Sequence, residues 1–365
     1  MQSITKEDIL EILTATDEEI IKFMLETAKY RENNLITFSK NIFIPLTEIC
    51  RNDCGYCNFK KNPEDPKAII LKTKEEILAD LKEAEKYGCK EAMFAFGEDA
   101  DEEEIVQIKL EEYGYDNMID YIYDICQMTL NETSLLPHTN GGNFSYDALK
   151  HLKEVNASMG LMLENSSKRL MELPAHNKSP GKNPDLRIET IENAGKLKIP
   201  YTTGILIGIG ETKEEIADSL LTIKDIYDKY GHIQEVIIQN FTPIPGIEME
   251  GWPEPSFLDM IRTVIAGTLV FKDTDVSIQV PPNLNNDTAQ IFLLCGADDW
   301  GGVSPVSPDF VNITSPWPGI DELKQLTEDA GFELTERLCV YEKYINGKWL
   351  NSDILENIAN LYEHQ

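Results

Sequence analysis

The sequence predicts an α/β chain folded as a TIM-type (β/α) barrel. Apolar segments of strand length alternate with amphipathic segments of helical period, and each apolar segment ends in polar or glycine residues. No low-complexity stretch, fixed-period repeat or linker divides the chain, and 365 residues at 42% hydrophobic content can bury a core of barrel size. Taken in order, residues 1–40 read as an N-terminal helical segment. Strands follow at 41–46, 91–96, 134–138, 157–163, 201–207 and 235–239, each leading into a helix, so that 41–245 forms a core of six βα units. The clearest helices run over 73–87 and 212–230. Their starts pair Thr73 with Glu76 and Thr212 with Glu215, the capping box in which hydroxyl and carboxylate satisfy free backbone N–H groups. Beyond Phe241 the loop PIPGIEMEGWPEP leads to a helix over 256–270, a strand over 276–280 and a helix over 288–294, a seventh unit. The apolar run 310–313 is expected to be the eighth strand and 320–330 its helix, so that 246–365 completes a closed (β/α)8 barrel.

With 64 acidic against 33 basic residues the formal charge is −31, a field that repels polyphosphates and argues against nucleic acid or an anionic membrane as partner. The opening MQSITKEDILEILTA has no basic start and apolar core, and the longer apolar runs are broken well short of a membrane span, so a cytoplasmic location is expected. Three of the seven cysteines fall within eight positions, which suits a reducing compartment and a metal site better than a disulfide framework. Cys89, Cys126, Cys295 and Cys339 read as apolar core fillers.

The close trio is Cys50, Cys54 and Cys57 in CRNDCGYC, directly after the first strand. A loop leaving the C-terminal end of a barrel strand can wrap three thiolates around a [4Fe–4S] cubane and leave the fourth iron without a protein ligand. Structural zinc is the competing reading, but it favours closure by a fourth Cys or His; Cys89 is the next cysteine and His138 the first histidine. Ferredoxin-like electron transfer would want a fourth cysteine at short range.

The motif resembles that of the radical S-adenosylmethionine (SAM) superfamily, CxxxCxΦxC, with Tyr56 at the aromatic position. The resemblance implies a [4Fe–4S] cluster on the three cysteines, SAM on its open iron, and generation of a 5′-deoxyadenosyl radical. It further implies a SAM site in which Tyr56 meets the adenine and Gly97 and Glu98 receive the amino group. Phe96 stands here where a second glycine is commoner. Glu164, at the end of GLMLEN, would hold the ribose or amino-acid end, Arg187 the carboxylate, and Gly208 with Ile209 the nucleoside through close backbone approach. The absence of GxGxxG makes a Rossmann site a poor alternative.

The strings IPLTEICRNDCGYCNF, LPHTNGGNFS, GLMLENSSKRL, HNKSPGKNPDLRIETIENAGKLKIPYTTGILIGIGET and IQEVIIQNFTPIPG are similar to one branch, the radical SAM subunits of 7,8-didemethyl-8-hydroxy-5-deazariboflavin (FO) synthases, and most of all to the cyclising subunit. That likeness spans Asn41 to about Trp300. It implies ring closure of an adduct of tyrosine and a ribitylaminouracil with release of ammonia, in coenzyme F-420 biosynthesis. It also implies a companion radical SAM subunit that makes the adduct, and an electron donor such as ferredoxin or flavodoxin. HTNGG stands where the branch has HTNPG, and the acidic stretch 99–112 has no counterpart role. Strand-end placement nominates His138, Asn140, Gln239, Asn240, Asp298 and Asp299 as substrate contacts, the two aspartates on a late barrel loop. Other readings are the companion C–C-joining subunit, a biotin-synthase-like sulfur inserter, for which the remaining cysteines supply no convincing auxiliary cluster, and a non-catalytic iron–sulfur or zinc scaffold.

Overall fold

The computed structural model describes residues 4–286 and 288–363. The chain enters through helices α1 (Lys6–Leu13) and α2 (Asp17–Thr27). It continues as β1 (Leu35–Thr47), α3 (Lys74–Lys86), β2 (Glu91–Phe96), α4 (Glu104–Tyr113), α5 (Met118–Glu132), β3 (Leu136–Asn140), α6 (Tyr146–Leu152), β4 (Ser158–Gly160), α7 (Pro184–Leu197) and β5 (Tyr201–Ile207). Then follow α8 (Lys213–Tyr230), β6 (Ile233–Asn240), α9 (Phe257–Phe271), β7 (Ser277–Gln279), α10 (Ala289–Leu294), β8 (Asp299–Val303), α11 (Ile320–Asp329), β9 (Glu333–Arg337) and α12 (Ser352–Glu363). Both expected capping boxes are formed: Thr73 and Thr212 accept from the backbone N–H groups of Glu76 and Glu215, whose carboxylates answer in return. Behind the first cap, Ile77, Leu81 and Ala84 line one face of α3 and bury it against the sheet. Every residue of β5 is buried, as a parallel strand covered on both faces must be.

All strand pairs are parallel. Neighbours follow chain order from β1 through β8, and β8 pairs back onto β1, which closes the barrel. The length of β1 follows from its three neighbours. Its residues from Asn41 to Thr47 pair with β2, Thr37 to Lys40 with β8, and Leu35 to Ser39 with β9. Residues 35–40, expected to be helical, are therefore strand.

Two further differences from the sequence reading concern the end of the chain. The eighth strand is Asp299–Val303, and 310–313 forms bends beyond it. DDWGGV has the composition of a turn, and it runs as a strand because Asp299 is paired with Arg337 and Asp298 accepts from the Ile278 N–H. The second difference is β9, whose alternating polar residues gave no apolar signal. The chain leaving it crosses the N-terminal mouth of the barrel and stoppers it. Ser158 and Gln234 donate to the Cys339 carbonyl at 2.9 and 2.8 Å, and the Tyr341 hydroxyl reaches Asp299 at 2.9 Å and Glu235 at 3.1 Å. Among the described residues no helix is long and apolar enough to cross a membrane.

Candidate active site

A cavity of about 360 Å³ fills the barrel from its C-terminal rim to the stopper, within the usual size of small-molecule sites. Cys50, Cys54 and Cys57 line the rim, on the loop that leaves β1. Gly97 is what lets that loop lie against the end of β2: a Cβ there would stand 1.8 Å from the Ile49 carbonyl oxygen. The loop is pinned beside it by hydrogen bonds from Arg51 N–H to Glu98 O and from Gly97 N–H to Thr47 O. Arg51 also pairs with Asp99 and Glu102, so the acidic stretch after β2 braces the cysteine loop from outside. Burial raises the Cys50 thiol to about 12, with Cys57 and Cys54 adding to the rise, and raises Cys57 with Cys54 as its next cause. Thiols such as Cys50 and Cys57 would become thiolates on binding a cation. Among the described residues no three His, Cys, Asp or Glu side chains converge as ligands of one metal ion. A cubane places each cysteine on a different iron and so spreads them wider.

Next to the cysteines sit two carboxylates and two cations. Glu98 accepts from Asn143 at 2.9 Å and from Arg187 at 3.4 Å, in a cradle where a Cβ on Gly181 would collide with its oxygen. Glu164 pairs with Lys182 at 2.6 Å and lies 3.9 Å from Arg187. Glu164 has a left-handed backbone (φ +62°), a strained choice for a non-glycine residue. It is locked there by its N–H to Gly204 O and by Leu206 N–H to its own carbonyl, which aims the carboxylate at Lys182. Arg187 is fixed in turn by the Met162 and Gly181 carbonyls. Paired acids and bases of this kind suit the ammonium and carboxylate of an amino acid. Tyr56 lines the same end, its hydroxyl 3.1 Å from Nε2 of His176, which burial pushes down to about 2 and so keeps neutral.

The cavity also takes in His138, Asn140, Gln239 and Asn240. Gly208 and Ile209 do not line it. Their N–H groups are donated to the Glu211 carboxylate, which closes the turn after β5, and Ile209 packs in the small apolar cluster behind Tyr56. Asp298 and Asp299 are likewise off the cavity wall, at the start of β8 rather than on a rim loop. Asp298 accepts from Ile278 N–H at 2.9 Å, and Asp299 is fully buried on Arg337. The sequence reading missed Lys182, although it lies within the singled-out SPGKNPDLR string. It also missed the polar strand residues Asn41, Glu91, Glu235 and Gln279 that line the cavity, together with Arg337 of β9. Charged residues inside otherwise apolar strands were the available signal.

The sequence signature of the Radical SAM superfamily matches residues 44–223. A 7,8-didemethyl-8-hydroxy-5-deazariboflavin synthase of Methanobrevibacter smithii is 80% identical over 93% of this chain and 100% of its own length. Proteins of the same name from Methanothermobacter thermautotrophicus and Methanocaldococcus jannaschii are 57% and 52% identical, over 90% and 98% of this chain and 98% of each relative. Among solved structures, methylornithine synthase superposes with a TM-score of 0.72 at 19% identity, covering 92% of this chain and 95% of that one. The FeFe-hydrogenase maturase of Carboxydothermus hydrogenoformans reaches 0.75 at 15% identity, covering 99% and 82%. At such identities the structures share the barrel, whereas the sequence relatives extend over the whole fold. A [4Fe–4S] cluster and SAM are the cofactors that this membership implies. The chain is a radical SAM enzyme and belongs to the 7,8-didemethyl-8-hydroxy-5-deazariboflavin synthase family.

Proposed function

We propose that this chain is the cyclising half of the synthase: it closes the adduct of tyrosine and 5-amino-6-ribitylaminouracil to FO, with loss of ammonia, on the way to coenzyme F-420. The observation that carries the reading is one continuous cavity with a cysteine-lined rim, an apolar waist and a polar floor. Cys50, Cys54 and Cys57 would hold the cluster. Glu98 and Glu164 receive the SAM ammonium, Arg187 and Lys182 its carboxylate, and Tyr56 flanks the adenine. Cluster and SAM, when bound, would supply a 5′-deoxyadenosyl radical for hydrogen-atom abstraction. The waist of Met93, Ala95, Leu161, Met162, Leu206 and Ile237 excludes water around the reacting carbon. His138, held neutral because burial pushes it down to about 4, offers a hydrogen-bond acceptor rather than a charge, and Asn140, Gln239 and Asn240 contact the substrate from the strand ends. A companion subunit supplies the adduct, and a small electron carrier such as ferredoxin or flavodoxin supplies the electron.

The deciding experiment gives anaerobically reconstituted protein, SAM and a strong reductant either the preformed adduct or free tyrosine plus the ribitylaminouracil. FO fluorescence from the adduct alone is the expected result. Adduct mass from the free precursors, without FO from supplied adduct, would assign the chain to the joining half.

A further inference from the structure

The barrel floor contains polar groups that the protein itself leaves unsatisfied. Asn41 is 2% exposed and its Oδ1 has no hydrogen-bond partner. Its amide group lies beside Glu91, whose carboxylate also accepts from Ser39, and the residue lines the cavity. Gln279, 8% exposed, lines the same floor and makes no side-chain hydrogen bond among the described residues.

His138, 6% exposed, completes the set through its tautomer. Its Nδ1 lies 2.7 Å from Ser158 Oγ, and that hydroxyl spends its single proton on the Cys339 carbonyl. The hydroxyl can therefore only accept from the ring, which puts the proton on Nδ1 and leaves Nε2 a bare lone pair. Among the described residues nothing bonds to Nε2, and the wall opposite it is Gly160, where a Cβ would come within 3.1 Å. The stopper strand thus sets the ring state of a cavity residue.

Three nearly buried side chains with vacant acceptors, one of them an amide that also donates, need a ligand rich in hydroxyls. An ammonium would meet acceptors but also the Arg337 guanidinium and the Gln279 amide. Burial raises Glu91 and Glu235 above the usual carboxylate range, which weakens the floor's pull on a cation. We propose that the floor is a polyol subsite: Asn41, His138 and Gln279, framed by Glu91 and Glu235, hold the hydroxyls of a polyhydroxyl chain and so aim the ring system past the apolar waist at the cysteines. Resting on the function proposed above, that chain is the ribityl substituent.

The test is calorimetry on the anaerobically reconstituted protein with 5-amino-6-ribitylaminouracil and with 5-amino-6-methylaminouracil, which lacks the chain. The ribityl compound should bind at least about tenfold tighter, a lower bound on what a site built to hydrogen-bond hydroxyls gives against an analogue without them. Asn41→Leu and Gln279→Leu should each remove most of that preference without weakening the methyl compound, with thermal melting and iron content reporting that each variant is folded. In the unaltered protein, ¹⁵N spectra should show His138 protonated at Nδ1, and only the ribityl compound should shift its Nε2 resonance. Equal affinity for the two compounds, or variants that weaken both alike, would overturn the subsite. A clear ribityl preference in a protein that makes no FO from the adduct would keep the subsite and reject the cyclising role. Ring closure at equal efficiency of adducts with and without the chain, giving FO and the chain-less deazaflavin respectively, would do the reverse.

Discussion

Arg187 carries two carboxylates at once. It is 3% exposed, and it is the cation shared by Glu98 and Glu164. Arg187→Ala leaves both acids buried with one of their partners gone, so a loss of about 3–5 kcal/mol in unfolding free energy is expected. SAM affinity, read by anaerobic equilibrium dialysis, should fall at least about tenfold while iron content stays near that of the parent. Gly97 tests the opposite arrangement. In Gly97→Ala the new methyl overlaps the Ile49 carbonyl, so the cysteine loop must move, and iron per chain should drop by more than about half after reconstitution. The sequence singled out both residues because each belongs to a short motif with a chemical reason for its spacing. Asn41 and Gln279 were not, since a lone amide inside an apolar strand acquires meaning only when the strands around it are known.

At the level of elements, β9 shows what was legible and what was hidden. Periodicity located the first six strands and two capped helices because burial on both faces and free helix-end amides leave direct marks on composition. β8 and β9 left none, because their inward side chains are charged and are satisfied by each other: Arg337 reaches Asp299 at 2.5 Å and Glu235 at 2.6 Å. Arg337→Ala should therefore cost about 3–5 kcal/mol in denaturant unfolding. Arg337→Lys should recover part of it, a single ammonium being unable to span both acids as the guanidinium fork does. Because the same strand positions Cys339, whose carbonyl sets the His138 tautomer through Ser158, the alanine variant should also disturb the His138 ring resonances. A surface variant such as Lys324→Ala should not.

The whole molecule responds to acid through its buried histidines. Burial pushes His138 down to about 4, His232 to about 3 and His176 to about 2. Each is depressed below its unfolded value near 6.5, so below that pH the unfolded chain binds protons that the folded one refuses. Stability is therefore present above pH ~6.5 and is lost as pH falls, by ~2 kcal/mol per histidine at pH 5. The raised Glu91 and Glu235 act in the opposite sense and offset part of this. Melting temperature should fall between pH 6.5 and 5, and His232→Phe, which keeps a ring between Tyr201 and Tyr230, should flatten that fall. The closure of the sheet has a further consequence, one of timing. β1 and the cysteine loop leave the ribosome early, whereas β8 and β9, two of the three strands that border β1, are translated only near the end. Until then the nascent chain is an open crescent with its thiols on an unfinished edge. Iron delivered during translation meets an accessible ligand loop, and iron delivered after release must pass the narrow rim of a vessel whose base has already been sealed.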